Sequence, residues 1–346
     1  MKRLRVAVVG ATGAVGREMT QVLAKRSFPV KKLRLLASKR SAGKTMDTPF
    51  GKLVVEELTE EALAGLDLAL FAAGSGVAGT MAPLALAQGA VVVDNSSAFR
   101  MDPSVPLVVP EVNPDAMTTA DRLIANPNCS TILLLVVLAP LARALGLRRV
   151  IVSTYQAVSG VGQKGLDALR RETERVLAGE KPMPSTLPFP SAARHRTIAF
   201  NLVPQVDRFA EDGYTKEEWK MVDETRKILA MPDLPITATT VRVPVFRSHA
   251  ESVYIETETQ VDLALVREIL GGAQGVEVVD NPDAFEYPTP LDSTDRGEIL
   301  VGRIRRDLGE PRAVNLWLVG DQLLKGAALN AVQIAEKALA GGWWSQ

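Results

Sequence analysis

The sequence predicts an α/β protein: a doubly wound, mostly parallel sheet in the N-terminal third, then an α+β domain. Three observations carry this expectation. Short β-branched runs alternate with helical patterns up to about residue 128, as crossover connections require. A glycine-bearing turn separates the first strand from the first helix. At 346 residues the chain exceeds one ordinary core, so two domains are the default.

The elements follow in order. LRVAVVGA (4–11) is an apolar run ending in glycine, and AVGREMTQVLAKR then repeats Val15, Met19, Val22 and Leu23 at helical spacing. KKLRLLAS, LVVEELT, DLALFAAG, AVVVDNS and PLVVPEVN read as further strands, with helical APLALAQG between two of them. Beyond residue 128 the pattern predicts a buried helix over 130–145 and a strand in RRVIVSTYQAVSG that runs into a polar loop. A helix at 163–178, a proline-rich irregular stretch and a helix at 215–230 come next. Strands around ATTVRVPVF and SVYIETET follow, and LLKGAALNAVQIAEKALA reads as an amphipathic helix packing back on the first domain.

Composition excludes several classes. Forty basic residues balance forty acidic ones, so no global field holds nucleic acid or an anionic membrane. The single Cys129 forms no internal disulfide, and nothing indicates an oxidising compartment. MKRLRVAVVG runs straight into a strand without a signal-peptide cleavage region. The longest apolar stretch, at 132–142, is too short for a bilayer and contains Pro140. A soluble, cytoplasmic enzyme with no metal site is expected.

Two glycine patterns compete for a phosphate. GATGAVG (Gly10, Gly13, Gly16) lies between the first strand and helix, where amide N–H groups at a helix start can cradle a pyrophosphate. GSGVAG (Gly74, Gly76, Gly79) follows a later strand and matches the pattern literally, but either can be a plain tight turn. The first loop, opening the chain in a βαβ context, is the better candidate. An NAD site usually places a carboxylate about 20 residues past the glycines. Here ASKRSAGK (37–44) offers Ser38, Arg40 and Ser41 and no carboxylate, which suits the 2′-phosphate of NADP. The bland alternative is a solvated basic face continuing from Lys31, Lys32 and Arg34.

Cys129 sits in NPNCST. Pro127 disfavours helix at Asn126, and Asn128 is a suitable N-cap, so the thiol falls in a first helical turn where the dipole favours thiolate. Buried filler is the commoner fate of cysteine, but the cap and polar neighbours favour a nucleophile. Its acid–base partner is His195 or His249, and spacing alone does not choose between them. Thr215 and Glu218 form a capping box, leaving Glu217 and Lys220 as an i,i+3 pair whose bland reading is a surface ion pair.

With these residues in view the chain resembles the aspartate-semialdehyde dehydrogenases over essentially its full length. The resemblance rests on GATGAVG, SKRSAGK, DNSSAFR, NPNCSTI, STYQAVSGVGQKG, EEWK, VRVPVFRSHAE and KGAALNAVQIAE, in that order. It implies reduction of aspartyl phosphate to aspartate semialdehyde by NADPH with release of phosphate, on the route to lysine, methionine and threonine. It also implies a homodimer or a dimer of dimers. The fold implied is a Rossmann-like NADP-binding domain (1–127 with the C-terminal helix 325–346) and a catalytic and dimerisation domain (128–324).

Carried over by motif, Cys129 resembles the nucleophile, His249 the acid–base residue and Gln156 the group that orients substrate and thiol. Arg242 resembles the partner of the substrate carboxylate and Glu217 that of its amine. Arg100, Asn128 and Lys220 resemble the phosphate site. The cofactor contacts implied are Gly10, Thr12, Gly13, Ala14, Val15, Gly16, Ser38, Arg40, Ser41, Ser159, Gly160 and Gln322. At Gln322 the family usually has Asn, so this amide stands on a longer arm. A relative acting on N-acetyl-glutamyl phosphate usually has Gly-Cys-Tyr around the thiol, unlike Asn128-Cys129-Ser130. A glyceraldehyde-phosphate dehydrogenase normally shows an acidic residue after the second strand. A non-catalytic dinucleotide sensor need not keep Cys129, Gln156, Arg242 and His249 together.

Overall fold

The computed structural model describes residues 2–344; Met1, Ser345 and Gln346 lie outside it, the last two within the expected C-terminal block. The chain divides into two compact units, Met1–Asn128 with Gly326–Gln346, and Cys129–Lys325.

The first unit begins with β1 (Leu4–Val9), α1 (Ala14–Lys25), β2 (Val30–Ala37), β3 (Thr45–Thr48) and β4 (Gly51–Glu57). It continues with β5 (Leu68–Phe71), α2 (Ser75–Ala87), β6 (Val91–Asp94) and β7 (Leu123–Ala125). The strand order is β3-β4-β2-β1-β5-β6-β7, parallel throughout except for the β3–β4 hairpin. Five of the six β1 residues are buried, as befits a strand covered on both faces. Helix α1 buries Gly16, Met19, Thr20, Val22 and Leu23, and α2 buries only alanines, Ala78, Ala82 and Ala85, which lets it lie close on the sheet. The order reverses at β1, with β2 on one side and β5 on the other, and the carboxyl end of β1 opens into Gly10. That is the switch point where doubly wound sheets take ligands.

One expected strand is absent. PLVVPEVN forms only an isolated bridge, Leu107 to Ala125, and the seventh strand is instead Leu123–Ala125. Pro106 and Pro110 flank the run and remove two ladder donors, which an alternation of apolar residues does not reveal.

The second unit holds α3 (Cys129–Leu145), β8 (Arg149–Gln156), α4 (Gln163–Leu177), α5 (Lys216–Leu229), β9 (Ile236–Arg242) and β10 (His249–Glu256). It is completed by α6 (Leu263–Gly271), β11 (Val276–Val278), α7 (Pro290–Ser293), β12 (Ile299–Arg306) and β13 (Ala313–Gly320). Its sheet runs β11-β12-β13-β10-β8-β9 and is mixed: β8–β9 and β11–β12 are parallel, and the other pairs are antiparallel. Burial alternates strictly along β8 and along most of β10, so one face is packed and the other half-exposed. A tilted Tyr155–Trp317 pair lies on the half-exposed face, with ring centroids 5.2 Å apart. Among the described residues no helix is long and apolar enough to cross a membrane.

A π-helical turn at Leu324–Ala328 leads into α8 (Leu329–Ala340). Within the first unit α8 packs on α1 and β6, and its Asn330 donates to Val108 O at 3.0 Å and Asn126 Oδ1 at 2.7 Å.

Steric tests separate the two glycine loops. A Cβ on Gly16 would lie 2.4 Å from Gly10 O, whereas one on Gly79 would meet nothing within 4 Å. Gly16→Ala is therefore expected to lower unfolding stability by about 1–3 kcal/mol. Gly79→Ala, in the exposed interior of α2, is expected to raise it by up to about 1 kcal/mol. Urea unfolding of the two variants checks this; equal effects would remove the steric distinction.

Candidate active site

At the carboxyl end of β1, Gly10 takes φ +83°, and a Cβ there would lie 2.7 Å from Ala72 O, so only glycine fits. Gly13 precedes α1 with no side-chain cap, and no acidic residue stands in the first turn. The N–H groups that open any helix therefore face no competing side-chain acceptor. With Thr12, Ala14 and Val15 this loop fits a pyrophosphate. Gly74 likewise precedes α2 with no side-chain cap and no acidic residue in the first turn, but an added Cβ at Gly74, Gly76 or Gly79 meets open space, so only the steric demand separates the two loops.

At the carboxyl end of β2, Ser38 and Arg40 are exposed, while Ser41 is nearly buried and its N–H bonds Ser38 O at 2.8 Å. Arg34 is a different case: Glu56 grips its guanidinium at 3.0 and 2.6 Å, which removes it from the candidate phosphate ligands. Arg100 is buried in the same unit, donating Nε to Asn126 O at 3.0 Å and Nη2 to Asn95 O at 2.7 Å. Asn128 is also buried, one residue before α3.

The second unit gathers the remaining residues by strand register. Gln156 pairs with Arg242 where parallel β8 and β9 end. His249 opens β10 opposite Gly320 of β13, one position beyond the Ala250–Tyr155 pair. Arg242, Gln156 and His249 thus form one row across adjoining strands, all on the packed face and all at most 4% exposed. Gly320 closes the row: a Cβ there would lie 2.6 Å from Leu133 Cδ2, one turn along α3 from Cys129. The absence of a side chain lets the start of α3 settle over the row. Gln156 Nε2 then donates to Ser130 Oγ at 3.0 Å, beside half-buried Cys129.

Helix α5 brings in the acid and the lysine. Thr215 and Glu218 form the capping box, and Glu218 Oε1 also accepts the Thr240 N–H of β9 at 2.8 Å, which pins the helix start to the sheet. Glu217 is buried, accepting Gln156 Nε2 at 3.2 Å and Lys220 Nζ at 3.0 Å. Lys220 also binds Asp207 at 3.1 Å. The surface reading of the Glu217–Lys220 pair is therefore incorrect, because docking of α5 on β9 buries the carboxylate. His195 lies instead in the proline-rich stretch, 3.4 Å from Pro190 O.

The main chain of Ala157 fixes two of the row's side chains. Arg242 Nη1 donates to its carbonyl at 2.7 Å, and its N–H donates to His249 Nδ1 at 3.0 Å. Because Nδ1 accepts, a neutral His249 carries its proton on Nε2, an atom with no partner among the described residues. Burial and then the Arg242 charge push the imidazole down to about 3, despite an opposing pull from Glu217. Burial also lowers Arg242, against the attraction of Glu217 and Cys129. For Lys220 burial pulls downward, but Glu217 and Asp207 together outweigh it and hold the ammonium above its ordinary range. The Nε of Arg242 is buried and without a hydrogen-bond partner among the described residues, and Gly160 sits so close that a Cβ would lie 2.8 Å from Nη1.

Gln322 links two loops of this unit. Its Nε2 donates to Ser159 Oγ, and its Oε1 accepts the Ser248 N–H at 2.8 Å. Ser248 takes φ +72°, a conformation costing a non-glycine residue roughly 1–2 kcal/mol, and it supplies the break that separates β9 from β10. Sequence reasoning missed Ser130, Ala157 and Asp207, whereas a break near Ser248 was legible in it. Ala157 acts through its main chain, which leaves no side-chain signal, and Asp207 lies 13 residues from Lys220.

Comparison with known proteins gives consistent matches. A family model described as semialdehyde dehydrogenase, NAD binding domain, matches residues 5–120, and one described as semialdehyde dehydrogenase, dimerisation domain, matches 138–325. The chain is 48% identical over 334 residues to aspartate-semialdehyde dehydrogenase from Bacillus subtilis, covering 96% of each. It is 49% identical over 335 residues to that from Aquifex aeolicus, covering 96% of this chain and 97% of the other. The crystal structure of aspartate semialdehyde dehydrogenase II complexed with ASA from Vibrio cholerae gives a TM-score of 0.92 at 43% identity, covering 98% of this chain and 99% of that one.

The depressed His249 basicity fixes a sign. The folded state binds fewer protons than the unfolded chain between the ordinary histidine value and about 3, so His249 costs stability as pH falls through that window. Relative to His249→Gln, the protein is expected to lose up to about 1.4 kcal/mol per pH unit between pH 6.5 and 3. Denaturant titrations at several pH values check this, and nitrogen-15 spectra of a His195→Gln background are expected to show the Nε2–H tautomer. A parallel pH dependence in both proteins, or a proton on Nδ1, would refute the assignment.

Proposed function

This chain belongs to the semialdehyde dehydrogenase family, and from that premise we propose that it is an aspartate-semialdehyde dehydrogenase. It reduces L-aspartyl 4-phosphate to L-aspartate 4-semialdehyde with NADPH and releases phosphate, a step toward lysine, methionine and threonine. The observation that supports this most is the row of Arg242, Gln156 and His249 at three strand ends, beside the start of the helix that carries Cys129.

Cys129 attacks the acyl phosphate as thiolate, favoured by its place in the first turn of α3. The carbon–sulfur bond forms, the carbon–oxygen bond to phosphate breaks, and an acyl-thioester remains. Arg100, Asn128 and Lys220 hold the phosphate. When bound, the nicotinamide supplies the hydride. His249 presents Nε2–H to the oxyanion of the resulting thiohemiacetal, a neutral imidazole acting as electrophile. Loss of one such donor typically costs about 10²–10³ in kcat. Collapse of the thiohemiacetal expels the thiolate and yields the aldehyde. In the reverse direction the thiolate adds to the aldehyde, the same Nε2–H stabilises the oxyanion that forms, and hydride departs from it with no net proton transfer to His249.

The buried Nε edge of Arg242 takes the substrate α-carboxylate, and Glu217 takes the amine. Gln156, bonded to Ser130 and Glu217, aligns substrate and thiol. Gly10, Gly13 and Gly16 with Thr12, Ala14 and Val15 hold the pyrophosphate; Ser38, Arg40 and Ser41 hold the 2′-phosphate. Ser159, Gly160 and Gln322 support the nicotinamide end. The dimerisation-domain match supports a homodimer, with a dimer of dimers as the larger assembly that sedimentation would distinguish. The cytoplasm is the proposed compartment.

The decisive assay follows NADP reduction by aspartate semialdehyde with and without phosphate, beside N-acetyl-glutamate semialdehyde. Turnover only with the aspartyl substrate and only with phosphate is expected. Cys129→Ser should abolish it while NADP still binds; near-normal turnover would sink the nucleophile assignment. Arg40→Ala should weaken NADP by about 10- to 100-fold, as for a lost charged hydrogen bond, with little change for NAD. Equal loss for both cofactors would place the 2′-phosphate elsewhere.

A further inference from the structure

Two residues further into each strand, the packed face of the second sheet carries another polar row. Thr154 of β8 pairs with Thr240 of β9 and with Glu251 of β10. Glu251 and Thr154 are both 0% exposed. Both carboxyl oxygens of Glu251 and the hydroxyl of Thr154 lack a hydrogen-bond partner among the described residues. Thr240 is engaged differently, by Glu218 of α5. Burial pushes the Glu251 carboxyl well above the ordinary carboxylate range.

Orphaned buried polar atoms call for a physical explanation, and a bridging water is the commonest one. Three such atoms on adjoining strands supply the two to four partners that a buried water needs. An undissociated acid contributes one donor, the hydroxyl another and the water two, so all three orphans are satisfied without a net charge in the core. The neighbours give the arrangement its meaning. Glu251 stands two residues from His249 on one strand, and Thr154 two residues from Gln156 on the next, so each lower residue is the same-face neighbour of an upper one.

We propose that Glu251 is a positioning residue that works as an undissociated acid: with Thr154 it holds one buried water under Gln156 and His249 and so keeps the amide and imidazole aligned for the thiol chemistry. The inference rests on the roles proposed above for Gln156 and His249. A carboxylate at this place would set a negative charge beside the imidazole and raise its basicity, whereas an apolar side chain would leave Thr154 and the water without their partner.

Infrared difference spectra between the protein and Glu251→Gln at neutral pH test the protonation state without any turnover. A carboxylic-acid carbonyl band that vanishes in the variant is expected; carboxylate bands in its place overturn the proposal. Kinetics test the positioning. Glu251→Leu is expected to lower kcat about 10- to 100-fold, the scale of a small misalignment, with KM for aspartate semialdehyde changed less than about twofold. Glu251→Gln, which keeps shape and polarity, should restore kcat. Thr154→Val should reproduce the leucine variant's loss, and the double variant should lose no more than either alone. If Glu251→Leu does not fold, Thr154→Val carries the kinetic arm by itself. Unchanged kcat in the folded variants, or no rescue by glutamine, overturns the positioning role. An inactive parent protein with its acid band intact would instead point to the reaction assignment.

Discussion

The carbonyl of Ala157 accepts Arg242 Nη1 at 2.7 Å, and its N–H donates to His249 Nδ1 at 3.0 Å, so one residue's main chain holds a cation and an imidazole side by side. Much of the site depends on this. With Nη1 held, the guanidinium's Nε is left without a partner among the described residues. With Nδ1 occupied, the imidazole has one tautomer and one direction for its proton. A loop that moved Ala157 by an ångström would disturb both groups together. Around it the loops are pinned by Gln322, which reaches Ser159 on one side and the Ser248 N–H on the other.

The two sheets solve different problems. In the first unit a parallel sheet buried on both faces supplies rigid strand ends, and chemistry sits in the turns beyond them, where Gly10 and Gly16 admit backbone where no Cβ fits. In the second unit one face of the sheet is packed and the other half-exposed, and Arg242, Gln156 and His249 stand on the packed face. Placing ionisable groups in such a core is costly unless they are paired. Glu217 and Lys220 meet that demand with Asp207 and Gln156, while His249 meets it by staying neutral. The capping box of α5 contributes to the same end, since Glu218 ties the helix start to Thr240 and thereby sets where Glu217 enters the core.

The local grammar of the chain was legible in the sequence. Alternating runs announced the first sheet, the glycine loop announced the switch point, and Asn128-Cys129 announced a helix start with the thiol in its first turn. The run PLVVPEVN misled because its two prolines withhold ladder donors that apolar alternation does not register, and Leu123–Ala125 took the strand position instead. Choosing His249 over His195 needed more than spacing. Arg242 and His249 are seven residues apart, and the non-strand segment 243–248, closing on the left-handed Ser248, ends one strand's register before the next begins, so that both side chains face the packed side.

Sequence by itself determined the fold class, the glycine turn between the first strand and helix, and the place of Cys129 at a helix start, because these follow from periodicity, backbone freedom and capping chemistry that are local to each stretch. Tertiary structure alone decided that Glu217 is buried, that Ala157 fixes His249 through its main chain, and that Glu251 and Thr154 stand together with no side-chain hydrogen-bond partner among the described residues. Each of those facts depends on register between strands distant in the chain and on what packs above them. Register and packing are settled by the whole core, so no single stretch carries their signature.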